Sequence, residues 1–135
     1  MVSSLLLPSI AAAVALSQSP SFDEHLERAR QLLEADAVAE AIEPLKQAYA
    51  LRPDAREALW MLAVAHLRLG RERQGIAYSE ALVTLAPEAA RSHFLFAAYL
   101  VALGDDEAAI DAYRVGLERE PDNPQALHDL AMIHI

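Results

Sequence analysis

Apolar residues in this chain return at the spacing of a helix face. Leu59, Leu62, Ala63 and His66 stand at i, i+3, i+4 and i+7, which lines one side of a 3.6-residue turn. Gly70 follows where the helix must stop and the backbone needs a positive φ. A second apolar stretch carries Ile76, Leu82 and Leu85. Pro87 closes it, because proline cannot continue a helix. The pattern therefore predicts two helices joined by a short turn, with little room for strands.

The same pattern recurs along the chain. Pro53, Pro87 and Pro121 lie 34 residues apart, as do Gly70 and Gly104. Ala29, Ala63, Ala97 and Ala131 keep the same period. A fixed period of this size marks a repeat architecture, in which each unit buries its apolar face only by stacking on a neighbour. The units read as 22–55, 56–89, 90–123 and a partial unit 124–135.

Capping residues agree with these limits. Ser21 with Glu24, and Asp54 with Glu57, fit the capping box. Asp105 can cap the helix after Gly104, and Asn123 before Pro124 reads as a cap followed by proline at the first helical position. Pro44 cuts against the pattern. It falls inside the expected second helix of the first unit, where it should bend or shorten that helix.

With these residues in place the chain resembles the tetratricopeptide repeat, a 34-residue helix–turn–helix. The second unit supplies Leu59, Leu62, Ala63, His66, Gly70, Gly75, Ser79, Leu82 and Pro87 at the family's motif positions. The third supplies His93, Phe96, Ala97, Leu100, Gly104, Ala109, Tyr113, Gly116 and Pro121. The first departs early, with His25, Arg28 and Asp36 at motif positions, then returns to it at Ala41, Leu45, Ala48 and Pro53. The resemblance implies an all-α, right-handed solenoid of antiparallel helix pairs, three full units and one extra helix. Small residues such as Ala63, Ala97, Ala41, Gly75 and Ala109 would allow close helix crossing.

The resemblance also implies a concave face lined by the first helix of each unit. Carried over residue by residue, its binding positions are Leu26, Arg30, Leu33 and Glu34, then Glu57, Trp60, Val64, Leu67 and Arg68. They continue with Arg91, Phe94, Ala98, Val101 and Ala102, and end with Gln125, His128 and Met132. Trp60 and Phe94 are the expected anchors, since aromatic residues dominate interface hot spots. Arg30, Arg68 and Arg91 would frame the rim and pair with acidic groups. Trp60 and Phe94 have a second reading, packing against a neighbouring helix or against residues 1–21 if that segment stays attached. Relatives that grip the C-terminal carboxylates of chaperones use Lys and Asn residues. Those positions here are Leu26, Arg30 and Met61, so that ligand is not expected.

Composition narrows the function further. The 135 residues are 54% hydrophobic and 23% charged, with 20 acidic against 11 Lys and Arg and a net charge of −9. A nucleic-acid reader would carry a basic face, so nucleic acid is not an expected partner. There is no cysteine, which removes disulfides and thiolate chemistry. His25, His66, His93, His128 and His134 form no metal-ligand spacing, and His66 and His134 read as packing groups. The cluster Asp105, Asp106, Glu107 and Asp111 lacks the glycine and alternating oxygens of a calcium loop. No nucleophile elbow, phosphate loop or nucleotide fingerprint is present. The expectation is a binding protein with no catalytic, metal or cofactor site. Arg outnumbers Lys, with Lys46 alone, which hints at a bacterial source.

Residues 1–20 differ from the rest. No charged side chain occurs from Met1 to Ser21. The run Leu5–Leu16 has the length of a signal-peptide core and is too short to span a bilayer. Ala13-Val14-Ala15 and Ala15-Leu16-Ser17 fit cleavage sites. No Lys or Arg precedes the run, so an apolar helix packed on the repeats, or a mis-assigned start codon, stays open. Export to the periplasm or medium is the expectation if the segment is a signal, and a cytoplasmic location otherwise. At the other end Ala131-Met132-Ile133-His134-Ile135 is apolar. It is expected to continue into a longer array or to bury itself against another copy or a partner. The functional expectation is a scaffold that takes a partner peptide or helix in an apolar groove. Its alternative is a regulatory or oligomerising module of a larger protein or enzyme.

Overall fold

In a computed structural model, residues 19–134 are described. The expectations placed on residues 1–18 and on the side chain of His134 lie outside them. Among the described residues there are seven helices and no strands: α1 (Phe22–Glu34), α2 (Val38–Leu51), α3 (Arg56–Arg68), α4 (Glu72–Leu85), α5 (Ala90–Ala102), α6 (Asp106–Arg119) and α7 (Pro124–His134). Each helix packs on the next, and α3 also touches α5. The architecture is an all-α helical repeat solenoid.

The turns inside the units share one hydrogen-bond pattern. After α1, Asp36 N–H donates to the Leu33 carbonyl and Ala37 N–H to that of Leu32. Gly70 and Arg71 repeat these bonds to Leu67 and His66, and Gly104 and Asp105 to Val101 and Leu100. This is the Schellman closure, which satisfies the last carbonyls of a helix and requires a left-handed residue. Gly70 has φ 69° and Gly104 φ 84°. Asp36 holds the same conformation at φ 60°, so the first unit makes the same turn without glycine.

Helix starts follow the sequence in three cases and depart in one. The Ser21 hydroxyl accepts from Glu24 N–H, Asp105 Oδ1 from Ala108 N–H, and Asn123 Oδ1 from Ala126 N–H at 2.9 Å. Asp54 does not cap α3. The helix begins one residue later, its cap is Ala55, and no side chain bonds there. Pro44 is buried inside α2, which at 14 residues matches α4 and α6. Of the two effects expected of Pro44, a bend or a shortening, the shortening does not occur.

The core runs as three joined clusters. The first holds Leu26, Leu45, Met61 and Leu62, the middle one Leu59, Leu82, Leu95 and Tyr99, and the last Leu100, Tyr113 and Ala126. Ala29, Ala41, Ala63, Ala97 and Ala109 are fully buried, which places the small residues where helices cross. Gly75 receives the Tyr99 ring, and Gly116 receives that of Phe94. The Tyr99 hydroxyl donates to the Ala63 carbonyl at 2.5 Å. His66 is buried, with Nδ1 2.9 Å from the Leu62 carbonyl oxygen and its ring 5.2 Å from that of Tyr78, so it is the packing group the period predicts. No helix among the described residues is long and apolar enough to cross a membrane.

Candidate functional site

The odd-numbered helices bring the expected binding positions into one series. Their exposure is uneven. Leu26 is only 4% exposed and shares a core cluster with Ala58 and Met61 of α3. It is a packing residue, because it sits in the cluster formed with side chains of α2 and α3. Trp60, Val64 and Leu67 on α3, and Phe94 and Ala98 on α5, are half-buried. Val101 is 39% exposed and Met132 58%, and His128 is exposed. Partly exposed apolar positions therefore recur on α3, α5 and α7.

The two aromatic residues are engaged with their neighbours. Trp60 packs on the first and middle core clusters. The Phe94 ring lies on Gly116 of α6, with its centroid 6.3 Å from that of Tyr113. Packing against neighbouring helices thus accounts for part of each ring, and a face of Trp60 is covered by the Arg91 side chain.

The arginines do not stand free. Arg30 pairs with Glu27 at 3.3 Å and with Glu57 across to α3. The hydrogen bond and charge of Glu57 raise the Arg30 guanidinium above its usual range. Arg68 donates to Asp36 at 2.8 Å. Arg91 lies over the Trp60 ring, 4.6 Å from its centroid, a cation–π contact. The three cations expected to meet acidic groups of a partner are occupied by partners within the chain.

A depression of about 610 Å³ opens between α5 and α7 over α6. Its walls are Ala98, Val101, Met132 and Ile133, with Tyr113, Asp106 and Asp129. Asp129 is held in place by Gln125 Nε2, which donates to Oδ1 at 2.8 Å, and by the Tyr113 hydroxyl, 3.5 Å from Oδ2. Burial first, then the Asp129 charge and hydrogen bond, pushes the Tyr113 hydroxyl up to about 12. Tyr113, Asp106, Asp129 and Ile133 are absent from the sequence-derived surface. The one signal for them was that Asp129 falls four residues after Gln125 and three before Met132, on the same helix face. Among the described residues, no group of three His, Cys, Asp or Glu side chains could hold a metal ion.

Family models described as Tetratricopeptide repeat match residues 57–88 and 90–133, more than half of the chain. No curated protein sequence matches it. Among solved structures it is similar to the MamA RS-1 ArsTM double mutant, with 18% identity and a TM-score of 0.82 over 88% of this chain and 67% of that one. It is similar to the first TPR of Spaghetti (RPAP3) bound to the HSP90 peptide SRMEEVD, with 23% identity and a TM-score of 0.78 over 82% and 87% of the two chains. A Thermobaculum terrenum O-GlcNAc transferase mutant, K341M, matches at 25% identity and a TM-score of 0.75, over 83% of this chain and 22% of the enzyme. The likeness to the first two structures, at 18% and 23% identity, is one of fold alone.

Proposed function

The chain belongs to the tetratricopeptide repeat family, and on that premise we propose that it is a protein-interaction scaffold. Its odd-numbered helices take a partner peptide or helix along the strip of Trp60, Val64, Phe94 and Val101. The observation that carries this reading is the half-exposed apolar strip running across α3 and α5. Apolar side chains left unpaired along a groove are the usual footing for an amphipathic or extended segment. The HSP90-peptide complex of RPAP3 supports a peptide as the ligand class. It does not carry its acidic ligand over, because buried Leu26 and Met61 stand where the polar clamp would be.

The test is selection of binders from a random displayed-peptide library, followed by titration of the enriched peptides. Val64 is half-buried in the strip on α3 and does not line the depression between α5 and α7, so Val64→Gln should weaken binding about tenfold while leaving the circular dichroism unchanged. Peptides that bind the Val64→Gln protein as well as the native one would end the proposal.

A second reading is a regulatory or oligomerising module within a longer protein. It draws on the transferase, of which the matched region is only 22%. Reading the gene beyond Ile135 separates the two. Export, expected from Met1–Ser21, is tested by sequencing the mature N-terminus. Self-association through α7, where Leu127 is 48% exposed and Met132 58%, is tested by sedimentation.

A further inference from the structure

We propose that the depression between α5 and α7 is a subsite for a cationic side chain flanked by an apolar one, so that the partner segment carries Arg or Lys beside an apolar residue. This rests on the groove reading above and supplies the chemistry of its ligand.

The walls supply both halves of the recognition. Val101, Met132 and Ile133 offer apolar contact, while Asp106 and Asp129 bring two carboxylates into the same space. Among the described residues, no Arg, Lys or His lines it. Its volume, about 610 Å³, falls in the range of ligand-sized clefts.

Asp129 is preorganised. Gln125 and Tyr113 each direct a donor at one of its oxygens, and an ionised carboxylate still has lone pairs to offer. A cation entering here would meet a fixed acceptor rather than a mobile one, which lowers the ordering cost of binding. An anion would face two carboxylates at close range, an arrangement that costs affinity.

Charge elsewhere points the same way. Arg30, Arg68 and Arg91 are held by Glu57, Asp36 and the Trp60 ring. These three cations of the candidate binding surface are thus already neutralised or covered, while the carboxylates of the depression are free of cationic partners among the described residues. The net charge of −9 would draw a basic segment to the protein from a distance.

The experiment uses the same displayed library on three proteins: native, Asp106→Asn with Asp129→Asn, and Asp106→Lys with Asp129→Lys. The native protein is expected to enrich peptides with Arg or Lys next to an apolar residue. The paired Asn substitutions should weaken those peptides about tenfold, the worth of a charge-assisted hydrogen bond. Their affinity for the native protein should also fall as salt rises from about 50 to about 500 mM. The paired Lys substitutions should enrich Asp or Glu instead.

If peptides are enriched and are weakened by Val64→Gln, but show no basic residue or no response to the paired Asn substitutions, the subsite is wrong and the groove stands. If no peptide is enriched, or Val64→Gln makes no difference, the groove reading falls and takes the subsite with it.

Discussion

The Arg91 guanidinium lies over the Trp60 ring, 4.6 Å from its centroid, and so joins the third unit to the second across the candidate surface. Arg91 is exposed and Trp60 half-buried, which makes the contact worth about 0.5–1 kcal/mol. Arg91→Ala should therefore lower the melting temperature by only a few degrees. It should also bare one face of the ring to water. Trp60 is the single tryptophan, so its fluorescence reads that face directly. Emission should move to longer wavelength. An unchanged spectrum would mean that the guanidinium does not cover the ring in solution.

Asp36 is the position where the first unit breaks the glycine rule and still makes the turn. Its φ of 60° is strained for a residue with a Cβ, although Asp and Asn tolerate it best after glycine. Its carboxylate accepts from Arg68, but at 85% and 45% side-chain exposure that pair contributes little. Asp36→Gly should leave stability unchanged or raise it by up to about 1 kcal/mol. Asp36→Ala should lower it by about 1 kcal/mol, because alanine keeps the strain and loses the polar group. Urea midpoints of the three proteins check the order. An alanine variant as stable as the native protein would contradict it.

Turns and crossings were legible in the sequence because each depends on residue size at one site. Gly70 and Gly104 mark a backbone that needs positive φ, and Ala63 and Ala97 mark helices in contact. The 34-residue period locates all four. The binding face was less legible, because it depends on how far each helix rotates toward its neighbour. Leu26 and Trp60 hold equivalent positions in consecutive units, yet one is buried and the other half-exposed. The partners of Arg30, Arg68 and Arg91 lie in a neighbouring unit or across a turn, where composition gives no register. The Asp129–Tyr113 pairing spans 16 residues and has no periodic signature. Asp54 shows the local limit, since a helix start displaced by one residue removes its cap.

Gly75 offers a test of packing against propensity. It sits inside α4, where alanine alone would gain about 1 kcal/mol of helix preference. A Cβ there would collide with the Tyr99 hydroxyl and with His66 Cβ. Overpacking of this kind costs about 1–3 kcal/mol, so Gly75→Ala should destabilise the array. Tyr99→Phe alone should also destabilise, by about 1 kcal/mol, through loss of the bond to the Ala63 carbonyl. Combined, the two should cost less than their sum, because removing the hydroxyl oxygen relieves part of the collision. Thermal melts of the four proteins in the cycle decide it. Strict additivity would show that the two residues do not meet.

High pH should unfold this protein through its buried tyrosines. Burial, followed by the Asp129 charge, raises the Tyr113 hydroxyl to about 12, and burial, followed by the charge of Glu72, raises Tyr99 further. In the unfolded chain both would ionise near pH 10. Between that pH and the folded values the unfolded state binds fewer protons than the native one, so stability falls as pH rises. The contribution is fully present below pH about 10 and is lost as pH climbs through about 12 for Tyr113 and beyond for Tyr99. Urea midpoints measured from pH about 8 to about 12 should be flat and then descend. Tyr113→Phe cannot ionise, so its curve should start lower, if the Asp129 contact stabilises the fold, and descend less steeply. A Tyr113→Phe curve parallel to the native one over the whole range would place that hydroxyl in contact with water.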